Sequence, residues 1–336
     1  MVKTNCFKEF AKYVSLNVMG MIGLSCYILA DTYFVSQGLG TYGLTALNLA
    51  IPIYSFIHGS GLMIGMGGGT RYSIQRSQRD QQSANRTFTN AVYLAALFAV
   101  LFVSIGVFFS GTIVTLFGAD EHVYAMSKTY LQVILLFAPA FLMNNVLLCF
   151  VRNDGAPQLS MAAMIGGSLS NVVLDWVFIF PCQMGIFGAA FATGLAPIIS
   201  MMILSPHFIR KNNQFHFAKC MPEIRRFVRI LSSGVPSLVT EVSSGIVIIV
   251  FNSILLNLAG NVGVAAWCDC KSIFGHYCHL YRDCARHSTN YQQQLRSQKY
   301  PKYQVDPKIC HDNHADPFGF DLRDRIFGSF TNCRHL

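Results

Sequence analysis

Charged residues are scarce in this sequence. Only 12% of its 336 residues are Asp, Glu, Lys or Arg, whereas an ordinary soluble domain carries about a quarter. Hydrophobic residues make up 52% and the mean hydropathy is +0.41. Apolar runs of about 20 residues, enough to cross a hydrocarbon core as a helix, recur along most of the chain. The sequence therefore predicts an all-α polytopic membrane protein and excludes an ordinary soluble domain.

Nucleotide-binding and signal-peptide features are also missing. The glycines at positions 65 and 67–69 are not followed by Gly-Lys-Ser/Thr, so we expect neither a phosphate loop nor an ATP-driven pump.

The basic N-terminal stretch leads straight into a full-length span, so we expect no cleaved signal peptide. The formal net charge of +9 does not indicate nucleic-acid binding, because the basic residues up to Arg229 lie mostly between hydrophobic runs.

Hydropathy predicts seven membrane spans, which are Val14–Tyr33, Leu44–Gly68, Ala91–Phe117, Tyr130–Val151, Met161–Phe180, Phe187–Phe208 and Phe227–Leu258. The loops after the second, fourth and sixth spans carry arginine or lysine. The stretches after the first, third and fifth spans carry neither over Gln37–Tyr42, Gly118–Ser127 and Pro181–Gly185. By the positive-inside rule, this alternation predicts a cytoplasmic N-terminus.

The sequence changes character after Ala266. Six of the 11 cysteines and six of the 10 histidines lie beyond Trp267, where no further span is predicted. The Cys268-x-Cys270 pair does not match the usual spacing of a structural zinc site, and a disordered cytoplasmic tail would contain fewer Cys, Phe and Tyr residues. Permissible codons for the tail, read in the neighbouring frame, encode a hydrophobic span closed by a Gly/Gln/Pro break. A frameshift is therefore the favoured interpretation, and an intact reading frame across the Ala266 codon would contradict it.

Asp31 is the only acid between Gly20 and Ala50, within an apolar run. An ionised carboxylate inside a bilayer is costly, so an isolated acid in a span indicates a functional site. The alternative is a hydrated helix end, because Gln37, Gly38 and Gly40 follow closely and break the helix.

Several motifs, taken in order and spacing, resemble the multidrug and toxic compound extrusion (MATE) family of the MOP superfamily, and its DinF- and MepA-like members in particular. They are ADTYFVSQGLGTYGLTALNLAIP, GLMIGMGGGTRYSIQ, NDGAPQLSM, SNVVLDWVFIF, FGAAFATGLAP and GVPSLVTEVSSG, and the resemblance covers Met1–Ala266. It implies about twelve spans in two six-helix lobes around a cavity that opens alternately to each side. It also implies inward exchange of Na⁺ or H⁺ for organic cations or amphipathic drugs, with no enzymatic reaction and no cofactor besides the coupling ion.

This resemblance divides the chain into an N-terminal six-helix lobe (1–208), a cytoplasmic linker (209–226), the start of a C-terminal lobe (227–266) and a non-family tail (267–336), a probable frameshift product. With the second lobe incomplete, we expect the printed chain to be inactive as a transporter. We also expect a multi-pass monomer in a bacterial or archaeal plasma (inner) membrane, with small-molecule drugs or organic cations and the lipid bilayer as partners and no nucleic acid.

The resemblance further implies a Na⁺ or H⁺ coupling site inside the N-terminal lobe, formed by Asp31, Asn171, Asp175 and Thr193. Asn171 and Asp175 are four residues apart and so share one helix face. Carboxylate, amide and hydroxyl oxygens are hard ligands that suit Na⁺, and carboxylates also exchange protons. The alternative for Asp175 is a residue at the membrane interface beside Trp176.

Two further polar residues are expected to line the substrate pathway. Glu241 is the only acid in the seventh span, where the resemblance implies an acid facing the C-terminal lobe; the alternative is a helix-entry residue close to Pro236. Asn252 corresponds to Asp31 if the seventh span repeats the first with a one-residue gap, since similarly spaced small residues follow both spans.

Two other functions remain open. A lipid-linked precursor flippase of the same superfamily would need strongly basic residues lining its cavity, and the predicted spans contain few. A signalling or metal-sensing membrane protein would bind zinc through its Cys/His tail, which the zinc content of the purified tail would reveal.

Overall fold

The structure is a computed structural model that describes residues 2–210, 213–250 and 253–254, with side chains placed at residue 27 and from residue 29 onward. These residues form seven helices and no strand: α1 Val2–Ser77, α2 Gln81–Leu116, α3 Glu121–Leu136, α4 Ala138–Asn153, α5 Pro157–Ile179, α6 Gly185–Ile209 and α7 Ile224–Val250. The predicted all-α fold is confirmed. The predicted tail over 267–336 lies outside the described residues.

Helix α1 is two helical legs joined at Gly40. Gly40 has φ 64° and ψ −159°, a backbone conformation that an L side chain rarely adopts. Tyr27 lies 13 residues before Gly40 and Tyr54 lies 14 residues after it, and their side chains share a hydrogen bond. The two legs therefore run antiparallel, and they correspond to the first and second predicted spans.

The predicted single span over Tyr130–Val151 is instead a pair of helices, α3 and α4, bent by 47°. The break falls at Phe137, and Pro139 occupies the first turn of α4. A proline there loses no hydrogen bond, because the first N–H groups of a helix have no partner within it. In an unbroken helix the same proline would leave a carbonyl unpaired and clash with the preceding turn.

Five helical stretches among the described residues are long and apolar enough to cross a membrane, and α3 with α4 provides a sixth. One of the five, Leu29–Ser77, contains the Gly40 break. Counting the two legs of α1 separately gives the seven predicted spans. The chain is a multi-pass helical membrane protein.

Glycines hold α7 against the second leg of α1. A methyl group on Gly67 would collide with the carbonyl oxygen of Ile230, and one on Gly234 would collide with the carbonyl oxygen of Met63. Small residues at such positions let two backbones approach closely, which is how helices associate in a bilayer. We call this contact the α1–α7 seam.

The segment between α6 and α7 is bound to the first lobe. Its Phe215 is 1% exposed and packs among the rings of Tyr72, Phe88 and Phe150. Backbone N–H groups of this segment donate to polar side chains of α2: His216 to Asn85 (3.1 Å), Ala218 to Thr89 (2.9 Å) and Glu223 to Asn90 (2.9 Å). The predicted linker is therefore an extended strap along α2, from residue 213 to residue 223.

Replacing Phe215 with alanine should release this strap. Truncating a buried phenylalanine typically costs about 3–5 kcal/mol, and here it would empty the aromatic pocket beside α2. We expect faster tryptic cleavage after Lys219, which is exposed and lies within the strap. Phe217→Ala is the matched control, because Phe217 is 69% exposed. Equal cleavage rates in the two variants would contradict the anchoring role of Phe215.

Candidate functional site

Helices α5 and α6 bring three of the predicted site residues together. Asn171 and Asp175 lie one turn apart on α5 and are both fully buried. With its amide oriented to satisfy both neighbours, Asn171 donates to Oδ2 of Asp175 (3.1 Å) and accepts from the backbone N–H of Thr193 (3.2 Å). Pro197 in α6 lacks the N–H that would normally pair with the carbonyl of Thr193. The carbonyl oxygen of Thr193 therefore lacks its usual hydrogen bond within α6, and it adds a main-chain oxygen to the side-chain oxygens of the site.

Asp31 approaches this group from the first leg of α1. It is 7% exposed and is near enough to Asp175 for the two carboxylates to interact electrostatically. One oxygen of each carboxylate, Oδ1 in both, is buried without a hydrogen-bond donor in the described part of the chain. Asp175 is thus inside the protein, and the alternative of an interface position for it is wrong.

The donor set fits a monovalent cation or a proton. Two buried carboxylates cannot both keep their charge without compensation, because burying an unpaired charge is very costly. The described residues contain no cluster of three or more His, Cys, Asp or Glu side chains that could hold a metal ion. Two carboxylates, an amide and a hydroxyl nevertheless offer several hard oxygen ligands, which Na⁺ prefers, and either carboxylate can take a proton.

Tyr130 of α3 completes this group and was not identified from the sequence. It is 6% exposed, shares a side-chain hydrogen bond with Thr193, and interacts electrostatically with Asp31 and Asp175. Its phenol is therefore an additional oxygen at the site. A tyrosine in an apolar run carries little signal on its own, since only the packing of α3 against α6 reveals its partners.

A line of polar side chains extends from Asp31 towards α7. Tyr54 is hydrogen-bonded to Tyr27 and interacts electrostatically with both Asp31 and Glu241. Its ring stacks on that of His58, with centroids 5.8 Å apart and planes 18° apart. Nδ1 of His58 lies 3.9 Å from Oε2 of Glu241. Glu241 is thus linked to the Asp31 region through Tyr54 and His58, whereas Asn252 lies outside the described residues.

Glu241 is buried in the α1–α7 seam. It is 8% exposed, and its Cβ faces Gly59 of α1, where an added methyl group would lie only 2.8 Å away. This placement disagrees with the alternative of a hydrated helix-entry residue, because α7 begins much earlier, at Ile224.

Another buried carboxylate, that of Asp154, lies at the opposite end of the helices and is surrounded by polar partners. Asp154 accepts hydrogen bonds from Tyr72 (2.5 Å), Arg76 (3.1 Å) and the backbone N–H of Gln214 (3.0 Å), and its Oδ2 lies 3.0 Å from Nε2 of His207. Sequence reasoning assigned it no role, although it belongs to the quoted motif NDGAPQLSM. Its four partners join α1, α6 and the strap, which makes it a structural tie at that end of the lobe.

A family model matches the part of the chain that contains most of the carboxylate site. The MatE family model matches residues 18–177, the part that contains Asp31, Tyr130 and Asp175. Residues 18–177 are a MatE domain. The predicted resemblance is confirmed, and all of the carboxylate site except Thr193 lies within the matched range.

The relatives that this chain matches are longer than it is. The multidrug export protein MepA of Staphylococcus saprophyticus is 25% identical over 267 residues, which are 79% of this chain and 59% of MepA. MepA of Staphylococcus aureus is 23% identical over the same shares of both chains. The chain therefore spans less than two thirds of the length of these curated relatives.

A solved structure has a similar fold. An inward-facing multidrug resistance MATE family transporter of the MOP superfamily is 27% identical, with a TM-score of 0.69, over 76% of this chain and 59% of that one. The fold described above is thus similar to that of this transporter over the matched residues.

Proposed function

We propose that the chain forms the cation-coupled part of a secondary active multidrug exporter, which moves Na⁺ or H⁺ inward in exchange for organic cations or amphipathic drugs. The observation that carries this proposal is the buried pair Asp31 and Asp175, each with an oxygen that lacks a donor in the described part of the chain. Binding of a cation or proton there relieves the cost of two buried charges. MepA relatives, which are named multidrug export proteins, support the drug class.

Coupling requires that the ion and the drug favour different conformations of the lobes. The path through Tyr54 and His58 to Glu241 supports a connection between the ion site and the α1–α7 seam. In this proposal, a change of charge at Asp31 alters the electrostatic environment of Glu241, at the face where the second lobe begins. The whole activity belongs to a protein with a complete second lobe, and we expect the printed chain alone not to transport.

The distribution of charge favours export of cations over flipping of a lipid-linked precursor. Among the described residues, the buried charged side chains are acids, together with His207, and no buried lysine or arginine occurs. An anionic pyrophosphate group would need basic residues inside the cavity.

The arginine-rich ends of the helices support the proposed cytoplasmic N-terminus. The proposed location is the plasma membrane. A zinc-binding tail concerns residues outside those the structure describes.

Direct ion binding to the purified chain tests the proposed site. We expect saturable binding of radioactive ²²Na⁺ if Na⁺ is the coupling ion, weakened by about 10- to 100-fold in Asp31→Asn and Asp175→Asn, as for loss of a charged partner. If H⁺ is the coupling ion, infrared spectra should instead show a protonated carboxyl band that disappears in the same variants.

Glu121→Gln is the matched control, because Glu121 is an exposed acid in the first turn of α3. It should bind as the unmodified chain does. A chain that neither binds ²²Na⁺ nor carries a protonated carboxyl group would contradict the proposed coupling site.

A further inference from the structure

A pocket at the arginine-rich end of the helices is lined mainly by hydrogen-bond donors. It lies where the second leg of α1, the start of α2 and the start of α7 meet, and its lining residues are Arg71, Gln75, Thr87, Arg226, Arg229 and Ile230. None of these residues belongs to the carboxylate site or to the path through His58. The pocket thus has a composition that the proposed transport function does not explain.

Two of the three arginines, Arg71 and Arg229, interact as like charges, and neither pairs with an acid within the described residues. Nε of Arg71 donates to the backbone carbonyl of Arg229 (2.8 Å), which holds the Arg71 guanidinium against the start of α7. The two side chains are close enough to interact electrostatically as like charges. Across residues 2–210 and 213–250, no ion pair forms with either one. Like charges held together in this way favour binding of an anion between them.

The third arginine is already paired in part. Nε of Arg226 donates to Oε2 of Glu223 at 2.8 Å, which leaves its terminal amino groups free of that bond. Asp80 also interacts electrostatically with Arg226. Arg226 therefore adds donors to the pocket but little uncompensated charge, and the charge that calls for an anion is that of Arg71 and Arg229.

The neutral polar residues of the lining, Gln75 and Thr87, also leave a hydrogen-bond donor available to the pocket. The hydroxyl of Thr87, which is 1% exposed, donates to Oε1 of Gln75 at 2.7 Å. This bond uses the acceptor end of the Gln75 amide and leaves its NH₂ group as a donor. The carbonyl of Arg229 is likewise used by Arg71. Several donors around a small space match an anion with several oxygens, and guanidinium groups match a phosphate especially well.

We propose that this pocket binds the phosphate group of an anionic ligand, either a phospholipid headgroup or free phosphate. The ligand would join Arg71 of the first lobe to Arg229 of α7 and so clamp the start of the second lobe against α1 and α2. Arg71, which lines the pocket, lies six residues before the end of α1 at Ser77. The pocket is therefore close to the arginine-bearing loops, where a span meets lipid headgroups. The proposal is independent of the coupling ion and of the drug.

The test measures binding to the purified chain in detergent, by native mass spectrometry and by the shift in melting temperature. The probes are a short-chain phosphatidylglycerol, the matching diacylglycerol without phosphate, and inorganic phosphate against chloride at equal ionic strength. We expect saturable binding of phosphatidylglycerol and none of diacylglycerol. A further response to inorganic phosphate assigns the site to the phosphate group alone, and its absence assigns the site to a lipid headgroup.

Arg229→Gln is the informative variant. Arg71 donates its hydrogen bond to the main chain of Arg229, so the variant removes the Arg229 charge and leaves that hydrogen bond in place. We expect about tenfold weaker binding, as for the loss of one charge-assisted hydrogen bond. Arg225→Gln is the matched control, because Arg225 is exposed as Arg229 is, lies one turn earlier on α7 and does not line the pocket.

Equal weakening by Arg225→Gln and Arg229→Gln would show a general effect of surface charge and would overturn the proposal. So would failure of the unmodified chain to bind either phosphatidylglycerol or inorganic phosphate.

Discussion

Efflux of a cationic dye such as ethidium should fall to the background of cells without the transporter when Asp31 or Asp175 is changed to asparagine. The measurement requires a version of the protein with a complete second lobe. Asparagine keeps the size and most of the polarity of each side chain but cannot take up a charge or a proton. Either change would therefore remove the neutralisation step on which the proposed coupling depends, and we expect drug binding away from these carboxylates to be kept.

Two controls make this result specific. Glu121→Gln should keep full efflux, because that acid is exposed and is not one of the residues of the carboxylate site. Dye binding without an ion gradient should survive in Asp31→Asn, since only coupling is lost. In inverted membrane vesicles, export appears as uptake of dye into the vesicle. If vesicles with Asp31→Asn retained gradient-driven dye uptake, the assignment of Asp31 to the coupling site would be wrong.

Adding a methyl group within the α1–α7 seam should be strongly destabilising. Gly67→Ala and Gly234→Ala each place a methyl group against a backbone carbonyl of the facing helix, and backbone cannot move aside as a flexible side chain can. Overpacking of this kind typically costs about 1–3 kcal/mol. We expect both purified variants to melt at lower temperature than the unmodified chain and to expose α7 to protease.

Gly245→Ala offers a matched control on the same helix. Its added methyl group would lie 3.3 Å from Cβ of Ser55, which a small shift can accommodate. The loss of stability should therefore be clearly smaller than for Gly234→Ala. If the two variants have the same melting temperature, close backbone contact is not what holds α7 to α1.

Much of this fold could be predicted because a bilayer imposes a strong pattern on sequence. Each span needs a long apolar run with its polar backbone paired internally, so seven runs could be read directly. The break at Phe137 escaped this reasoning. Hydropathy is insensitive to it, since both helices of the pair are apolar, and only Pro139 signals the change of direction.

The carboxylate site was partly predictable for a similar reason. Asp31 and Asp175 are conspicuous in apolar surroundings, and the spacing of Asn171 and Asp175 places them on one face of α5. Tyr130 and His58 were not predictable, because their roles come from contacts of α3 with α6 and of α1 with α7. The roles of Asp31, Asn171, Asp175 and Thr193 in ion coupling stay a prediction, as does the frameshift after Ala266.

The strap along α2 has a practical consequence for dividing the protein into separately expressed pieces. A fragment of the first lobe that stops near residue 208, where its sixth helix ends, would lack Phe215 and leave an open space among Tyr72, Phe88 and Phe150. It would also deprive Asp154 of the donor from Gln214. A fragment that ends after Glu223 keeps these contacts, so the packing of the first lobe extends beyond the end of α6.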